Sequence, residues 1–307
     1  MKKIRFLFSL FVFVLAFSVA EGQGFTRYDS IPVTVNSNTL KYPFCGGLNY
    51  LQTYSIDING DGLKDMFTFD RSSTKYRTYI NTGAAGDYHY IYAPQYEWCF
   101  PGPFSNWIQL FDFNCDGKED IFTYENGFIK VWKNEYTTSN GLSFSLYLFP
   151  IYATYPNSGY NNILISSQTF PAFDDVDSDG DLDILVYGIT VGWYQNMAQE
   201  TFGRCDTLVF NYPTDCWGNF SSFGNPTWNV LTFGISCRSN GSQPDTTQAT
   251  EHSGQSILAI DLDGDLDKDV LIGDVIQNNI TESTNTGTVF SPNMTSQDTA
   301  YPFFPHC

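Results

Sequence analysis

The chain has 307 residues and a formal charge of −18, from 33 acidic and 15 basic side chains. No basic cluster is present to neutralise phosphates, which argues against nucleic acid and anionic membrane as partners. Phe, Tyr and Trp make up 17% of the residues, a share that suits extended β structure.

Lys2, Lys3 and Arg5 precede an apolar run from Phe6 to Ala20 that ends in Ser-Val-Ala. Residues 1–20 therefore read as a secretory signal peptide, too short to span a bilayer comfortably. No second run of spanning length follows, so the mature protein is expected to be secreted or held at the cell surface. Residues 21–47 read as one or more lead-in strands before the repeats begin.

From there an acidic nonapeptide, Asp-x-Asp/Asn-x-Asp-x-x-x-Asp, recurs four times, at 57–65, 112–120, 175–183 and 261–269. Eighteen of the 33 acidic residues lie in these segments once Asp174 is included. Each segment follows a short apolar run (TYSI, WIQLF, TFPAF, SILAI) and precedes another (MFTF, IFTY, ILVY, VLIG). Such runs are strand-length, β-rich and without helical spacing. A third run ends at an asparagine, Asn81, Asn134, Asn196 or Asn285, which lies 16, 14, 13 and 16 residues after the last Asp of its loop. The unit is thus strand, acidic loop, strand, turn, strand, with room for a fourth.

An antiparallel sheet of four strands repeated at this spacing predicts an all-β chain built as a β-propeller. The blades fall at about 48–103, 104–164, 165–252 and 253–307. Successive loops start 55, 63 and 86 residues apart, and the long last interval points to an irregular Cys-rich insertion between Asn196 and Ser253. Seven cysteines in an exported chain predict disulfides. Cys205, Cys216 and Cys237 crowd one segment and suggest a local bridge, and Cys45 with Cys99 is a second candidate pair.

Carboxylates two residues apart in a tight loop repel unless a cation sits among them. Side-chain oxygens at loop positions 1, 3, 5 and 9 and a carbonyl at position 7 make an all-oxygen cage, which favours calcium over zinc or magnesium. Those side chains are Asp57, Asn59, Asp61 and Asp65; Asp112, Asn114, Asp116 and Asp120; Asp175, Asp177, Asp179 and Asp183; and Asp261, Asp263, Asp265 and Asp269. Up to four structural ions are expected. An EF-hand is excluded, because it needs flanking helices and a Glu at position 12, where this chain has Thr68, Thr123, Val186 and Ile272. Loops three and four carry one more ligand carboxylate than the others and are expected to bind more tightly. In loop four Leu266 takes the place of the position-6 glycine, which predicts backbone strain. Cys115, at position 4 of loop two, is expected to pack or pair rather than bind metal.

The loops and their flanking strands resemble FG-GAP/VCBS-type repeats, the calcium-bearing blades of integrin α-subunit propellers and many secreted bacterial proteins. The resemblance covers about residues 48–303. It implies calcium held in the hairpin between the first two strands of each blade, with backbone carbonyls of Leu63, Lys118, Asp181 and Asp267 completing the ligand sets. It also implies that the four blades are part of a ring that in this family usually has seven.

No catalytic constellation stands out. His89, His252 and His306 are scattered, and no nucleophile elbow or phosphate loop occurs. Tyr88, Tyr90, Tyr92, Tyr96, Trp98 and Phe100, with Trp107 nearby, form an aromatic stretch able either to pack between blades or to stack on a ligand. The expected function is a secreted or surface recognition and adhesion module with structural calcium and a protein or glycan ligand. The alternative is a carbohydrate-binding or polysaccharide-degrading propeller.

Overall fold

The computed structural model describes residues 31–39, 48–83, 89–222, 230–236, 254–275 and 277–302. The expected signal peptide at 1–20 lies outside them. The chain divides into two compact units, 1–46 and 47–307. In the first, strands β1 (Thr34–Val35) and β2 (Asn38–Thr39) form a short antiparallel hairpin. Its two turn residues, Asn36 and Ser37, both have positive φ (49° and 66°), as a two-residue hairpin whose twist matches its strands requires.

In the second unit four small antiparallel sheets are arranged as a four-bladed β-propeller. Blade one is β3 (Leu51–Ile56), β4 (Asp65–Asp70), β5 (Lys75–Asn81) and β6 (Tyr90–Tyr92). Blade two is β7 (Ser105–Phe111), β8 (Asp120–Glu125), β9 (Phe128–Asn134) and β10 (Phe144–Leu148). A hairpin, β11 (Tyr152–Tyr155) with β12 (Gly159–Asn162), precedes blade three. That blade contains β13 (Ala172–Asp174), β14 (Asp183–Tyr187), β15 (Val191–Asn196) and, after the five-residue helix α1 (Ala198–Phe202), β16 (Phe210–Thr214). Blade four is β19 (Gln255–Ile260), β20 (Asp269–Asp274), β21 (Ile280–Asn285) and β22 (Met294–Tyr301), reached through the small pair β17 (Phe220–Ser221) and β18 (Thr232–Phe233).

Each expected apolar run lies in the expected strand except TFPAF, of which only Ala172 and Phe173 belong to β13 while Phe170 makes an isolated bridge to Ser256, and the four EF-hand-discriminating residues fall inside β4, β8, β14 and β20. The reason is visible in β8, whose first four residues are all buried. Successive side chains of a strand point to opposite faces, so Ile121 packs into the seam with blade one and Phe122 into the seam with blade three. In β14, Ile184 and Leu185 divide in the same way between the seams on either side of blade three. A central strand apolar on both faces is what a blade needs when it has two neighbours.

Three aromatic-rich cores result. Phe67, Phe69 and Phe100 meet Ile108 and Ile121 between blades one and two. Trp107, Phe122 and Val131 meet Phe173, Tyr194 and Tyr212 between two and three, with the Phe122 and Phe173 rings 4.6 Å apart. Leu185, Trp217 and Phe220 meet Ile257, Val270 and Met294 between three and four. Each such side chain contributes roughly 1.5–3 kcal/mol through burial. Among the described residues no buried apolar cluster joins blade four to blade one. Arg71, from the β4–β5 turn, instead lines a cleft of about 500 Å³ together with Ser256, Asp274 and Ile280 of blade four.

Two expectations need correction. The segment after Asn196 is not simply an irregular excursion, because it supplies α1, the fourth strand of blade three, and Trp217, Phe220 and Leu231 of the third core. The sheet of blade three is also extended to six strands, because β11 pairs in parallel with β16 and carries β12 with it. Long-range pairing of that kind leaves no periodic trace in a sequence. Among the described residues no helix is long and apolar enough to cross a membrane.

Candidate metal centres

Every acidic loop connects the first and second strands of its blade, and its position-9 Asp is the first residue of the second strand. The pairs Ile56–Asp65, Phe111–Asp120, Asp174–Asp183 and Ile260–Asp269 close the four hairpins. Positions 4 and 6 have positive φ in all four loops: Gly60 and Gly62, Cys115 and Gly117, Ser178 and Gly180, Gly264 and Leu266. These left-handed residues coil the backbone so that the acidic side chains turn inward. At Gly60 a Cβ would fall 1.7 Å from the Tyr136 hydroxyl oxygen, so a larger residue there would have to displace that ring. Leu266 adopts φ +78° with its side chain 76% exposed, so the expected strain is present and no packing offsets it.

Inside each loop the carboxylates first satisfy the backbone. The position-1 Asp accepts from later amides of the turn: Gly62 N–H on Asp57 at 2.9 Å, Gly117 on Asp112 at 2.8 Å, Gly180 on Asp175 at 3.1 Å and Leu266 on Asp261 at 3.1 Å. The position-5 Asp accepts from position 7: Leu63 on Asp61, Lys118 on Asp116, Asp181 on Asp179 and Asp267 on Asp265, at 2.8–3.1 Å.

The position-9 Asp has a separate task. Buried at the base of the loop, it accepts one N–H from position 2 and one from the asparagine that ends the third strand. Asp65 takes Ile58 and Asn81, Asp120 takes Phe113 and Asn134, Asp183 takes Val176 and Asn196, and Asp269 takes Leu262 and Asn285. Three of these asparagines donate their side-chain amide to the position-8 carbonyl of Lys64, Glu119 or Lys268, while Asn196 donates to Thr207. The Asp and the Asn that follows it 13 to 16 residues later in each repeat therefore form a clamp joining three strands of a blade.

The loops are neighbours along one rim. Lys64 pairs with Glu119, and the Tyr136 hydroxyl donates to the Asn59 carbonyl at 3.1 Å, linking loops one and two. The Cys115 sulfur lies 3.9 Å from the Gly180 carbonyl, linking two and three. Lys268 pairs with Asp174 at 3.0 Å, linking three and four.

Carboxylates that face inward come together in two loops. One oxygen each of Asp175, Asp177 and Asp179 lies within 4.8 Å of the others, and the same holds for Asp261, Asp263 and Asp265. These clusters are able to hold a metal ion. Loops one and two have an amide in the middle position. Asn59 donates to Asp61 at 2.9 Å, and the buried Asn114 side-chain nitrogen has no acceptor. The donor set fits a hard cation, because Asp177 Oδ1, Asp179 Oδ2, Asp181 Oδ1 and Asp267 Oδ1 are buried oxygens that no donor satisfies.

Burial pushes Asp120 up to about 7, Asp181 to about 7, Asp183 to about 9 and Asp267 to about 6, with neighbouring carboxylates adding to the effect. Two like charges about 4 Å apart near a protein surface repel by roughly 4 kcal/mol. A divalent ion removes that repulsion.

Sequence reasoning gave Asp181 and Asp267 only a backbone role. Their side chains are each 4% exposed and carry orphaned oxygens, so the side chains belong to the acidic centres. Glu200, on α1, was missed altogether, although one of its oxygens lies within 4.8 Å of Asp179 and Asp181.

The cysteines also rearrange. Cys205 bonds Cys115, 90 residues away with Cα atoms 6.1 Å apart, rather than a close neighbour in sequence. Adjacent blades bring loop two beside the turn after α1, which local spacing cannot show. Cys216 is also disulfide-bonded, and Cys237, the third cysteine of that segment, lies outside the described residues. Cys99 is a free thiol, so its pairing with Cys45 does not form.

Of the aromatic stretch, Phe100 and Trp107 are core residues, Trp98 is 91% exposed, and Tyr88 lies outside the described residues. No family model matches the chain, and no curated protein matches it.

Two outcomes are expected. Leu266→Gly should raise the unfolding free energy in a denaturant titration by about 0.5–1 kcal/mol, because it relieves left-handed strain and removes no buried contact. The second concerns metal-stripped protein. Carboxylates whose folded-state pKa is raised contribute stability that is full below their ordinary value near 4 and is lost as pH rises through about 6 to 9. Its melting temperature should therefore be higher at pH 5 than at pH 8, and a flat or opposite slope would contradict this account.

Proposed function

We propose that the chain is an exported, calcium-stabilised β-propeller of the FG-GAP/VCBS type that serves as a recognition and adhesion module. The observation that carries the reading is the repetition, on one rim, of four inward-coiled acidic hairpins, with orphaned buried carboxylate oxygens in loops three and four. Asp57, Asn59 and Asp61, with Asp112, Asn114 and Asp116, would hold ions in the first two loops. Asp175, Asp177 and Asp179, with Asp261, Asp263 and Asp265, would do so in the last two. When bound, calcium supplies the positive charge that lets these carboxylates stay ionised side by side. The position-9 aspartates keep each loop registered on its blade, so the chain presents a rigid rim to a partner.

Export is supported by the Cys115–Cys205 disulfide, which suits an oxidising compartment, together with the N-terminal basic and apolar pattern. A glycan is favoured as ligand by Trp98, whose exposed indole rises from the turn at Pro94–Cys99 between the first two blades. The same indole is what favours the second reading, a carbohydrate-binding or carbohydrate-degrading propeller.

Chelation should lower the melting temperature by many degrees, and added calcium should restore it. Each site saturated at a hundred times its dissociation constant adds about 2.7 kcal/mol. An unchanged melt in chelator would defeat the assignment of the loops. On a glycan array the protein should bind without turnover, and Trp98→Ala should abolish that binding. Release of oligosaccharide from a bound glycan would instead establish an enzyme.

A further inference from the structure

The carboxylates of loop three continue past the loop. Glu200 projects from α1, which follows the last residue of β15 closely and ends at Gly203 with φ +65°. The Gln199 N–H donates to Asp181 Oδ2 at 2.9 Å, seating the helix on the loop. Gln195 then bridges the two, donating to Asp177 Oδ2 at 2.7 Å and to Glu200 Oε1 at 3.0 Å. The Cys115–Cys205 bond ties the chain just after α1 to loop two, so the helix is fixed at both ends.

This framework brings one oxygen each of Asp179, Asp181 and Glu200 within 4.8 Å of one another. Asp181 is 4% exposed and its Oδ1 has no donor, while Asp179 Oδ2 is buried and likewise unsatisfied. Asp179 also belongs to the cluster with Asp175 and Asp177. One carboxylate is therefore shared between two acidic groups, one inside the loop and one between the loop and α1. Loop four has the counterpart of Asp181 in Asp267, also with an orphaned oxygen, but among the described residues no carboxylate from outside that loop completes a group with it.

We propose that loop three holds a second divalent cation beside the first, ligated by Asp181 and Glu200 and bridged to its neighbour by Asp179. The ligands are all carboxylate oxygens, so the ion is a hard one of the calcium class. Glu200 is exposed, which leaves this ion open to solvent on one side for entry and for water ligands. The proposal rests on the reading of the acidic loops as cation sites.

The test is native mass spectrometry and calorimetric titration of the full exported chain with calcium, and with terbium as a luminescent stand-in. Glu200→Gln keeps an acceptor for Gln195 and Asp181→Asn keeps one for Gln199, so both variants should fold. Each should bind one ion fewer than the parent, the double variant should lose no further ion, and the remaining ions should still raise the melting temperature. In mixed terbium–europium samples the parent should show energy transfer between neighbouring ions, and Glu200→Gln should lose it. Equal stoichiometry in parent and both variants would overturn the second site while leaving the loop ions standing. A parent chain that binds no divalent cation would instead defeat the underlying reading.

Discussion

One buried carboxylate per blade does most of the structural organising. Asp65, Asp120, Asp183 and Asp269 each stand at the start of a second strand and accept two backbone amides, one from the incoming loop and one from the end of the third strand. A hydrogen bond of this kind contributes about 0.5–1.5 kcal/mol, and the one to the asparagine joins segments 13 to 16 residues apart in sequence. If this carboxylate is lost, the loop above it has no fixed base and the third strand has no fixed end.

That base makes the crowding of the other aspartates tolerable. Positions 1, 3 and 5 spend some of their oxygens on the turn's own amides, which shapes the loop. In loops three and four, oxygens remain that no donor reaches. Burial raises the cost of ionising these groups and like charges raise it further, so in water alone the arrangement favours protons over open negative charge. A cation changes that balance. Shape and charge are thus set by the same residues, and the rim is the part of the molecule most sensitive to its ionic surroundings.

The contacts between loops extend this sensitivity across blades. Lys64 with Glu119, Cys115 with Cys205, and Lys268 with Asp174 run from one blade to the next along the same rim. Beneath them the three aromatic cores join the blades pairwise, Ile121 and Phe122 serving two different seams from adjacent positions. A perturbation at one loop therefore meets both its own strands and the neighbouring blade.

Much of this was legible in the chain. Apolar runs of strand length, Asp spacing and the recurring asparagine are local patterns, and local patterns report local structure: the hairpins, their order, the left-handed strain at Leu266 and the repetition of blades. What the asparagine does was not legible, because its partner amide and carbonyl are defined only once the strands lie side by side. Nor were the Cys115–Cys205 bond, the addition of β11 and β12 to blade three, or the approach of Glu200 to Asp179 and Asp181. These join residues that share no period and no motif. The sequence by itself determined the blades and the acid lining of each loop, since both depend on neighbours along the chain. Only the tertiary structure decided which loops touch and which carboxylate from outside completes a group, since that depends on how one blade's edge packs against the next.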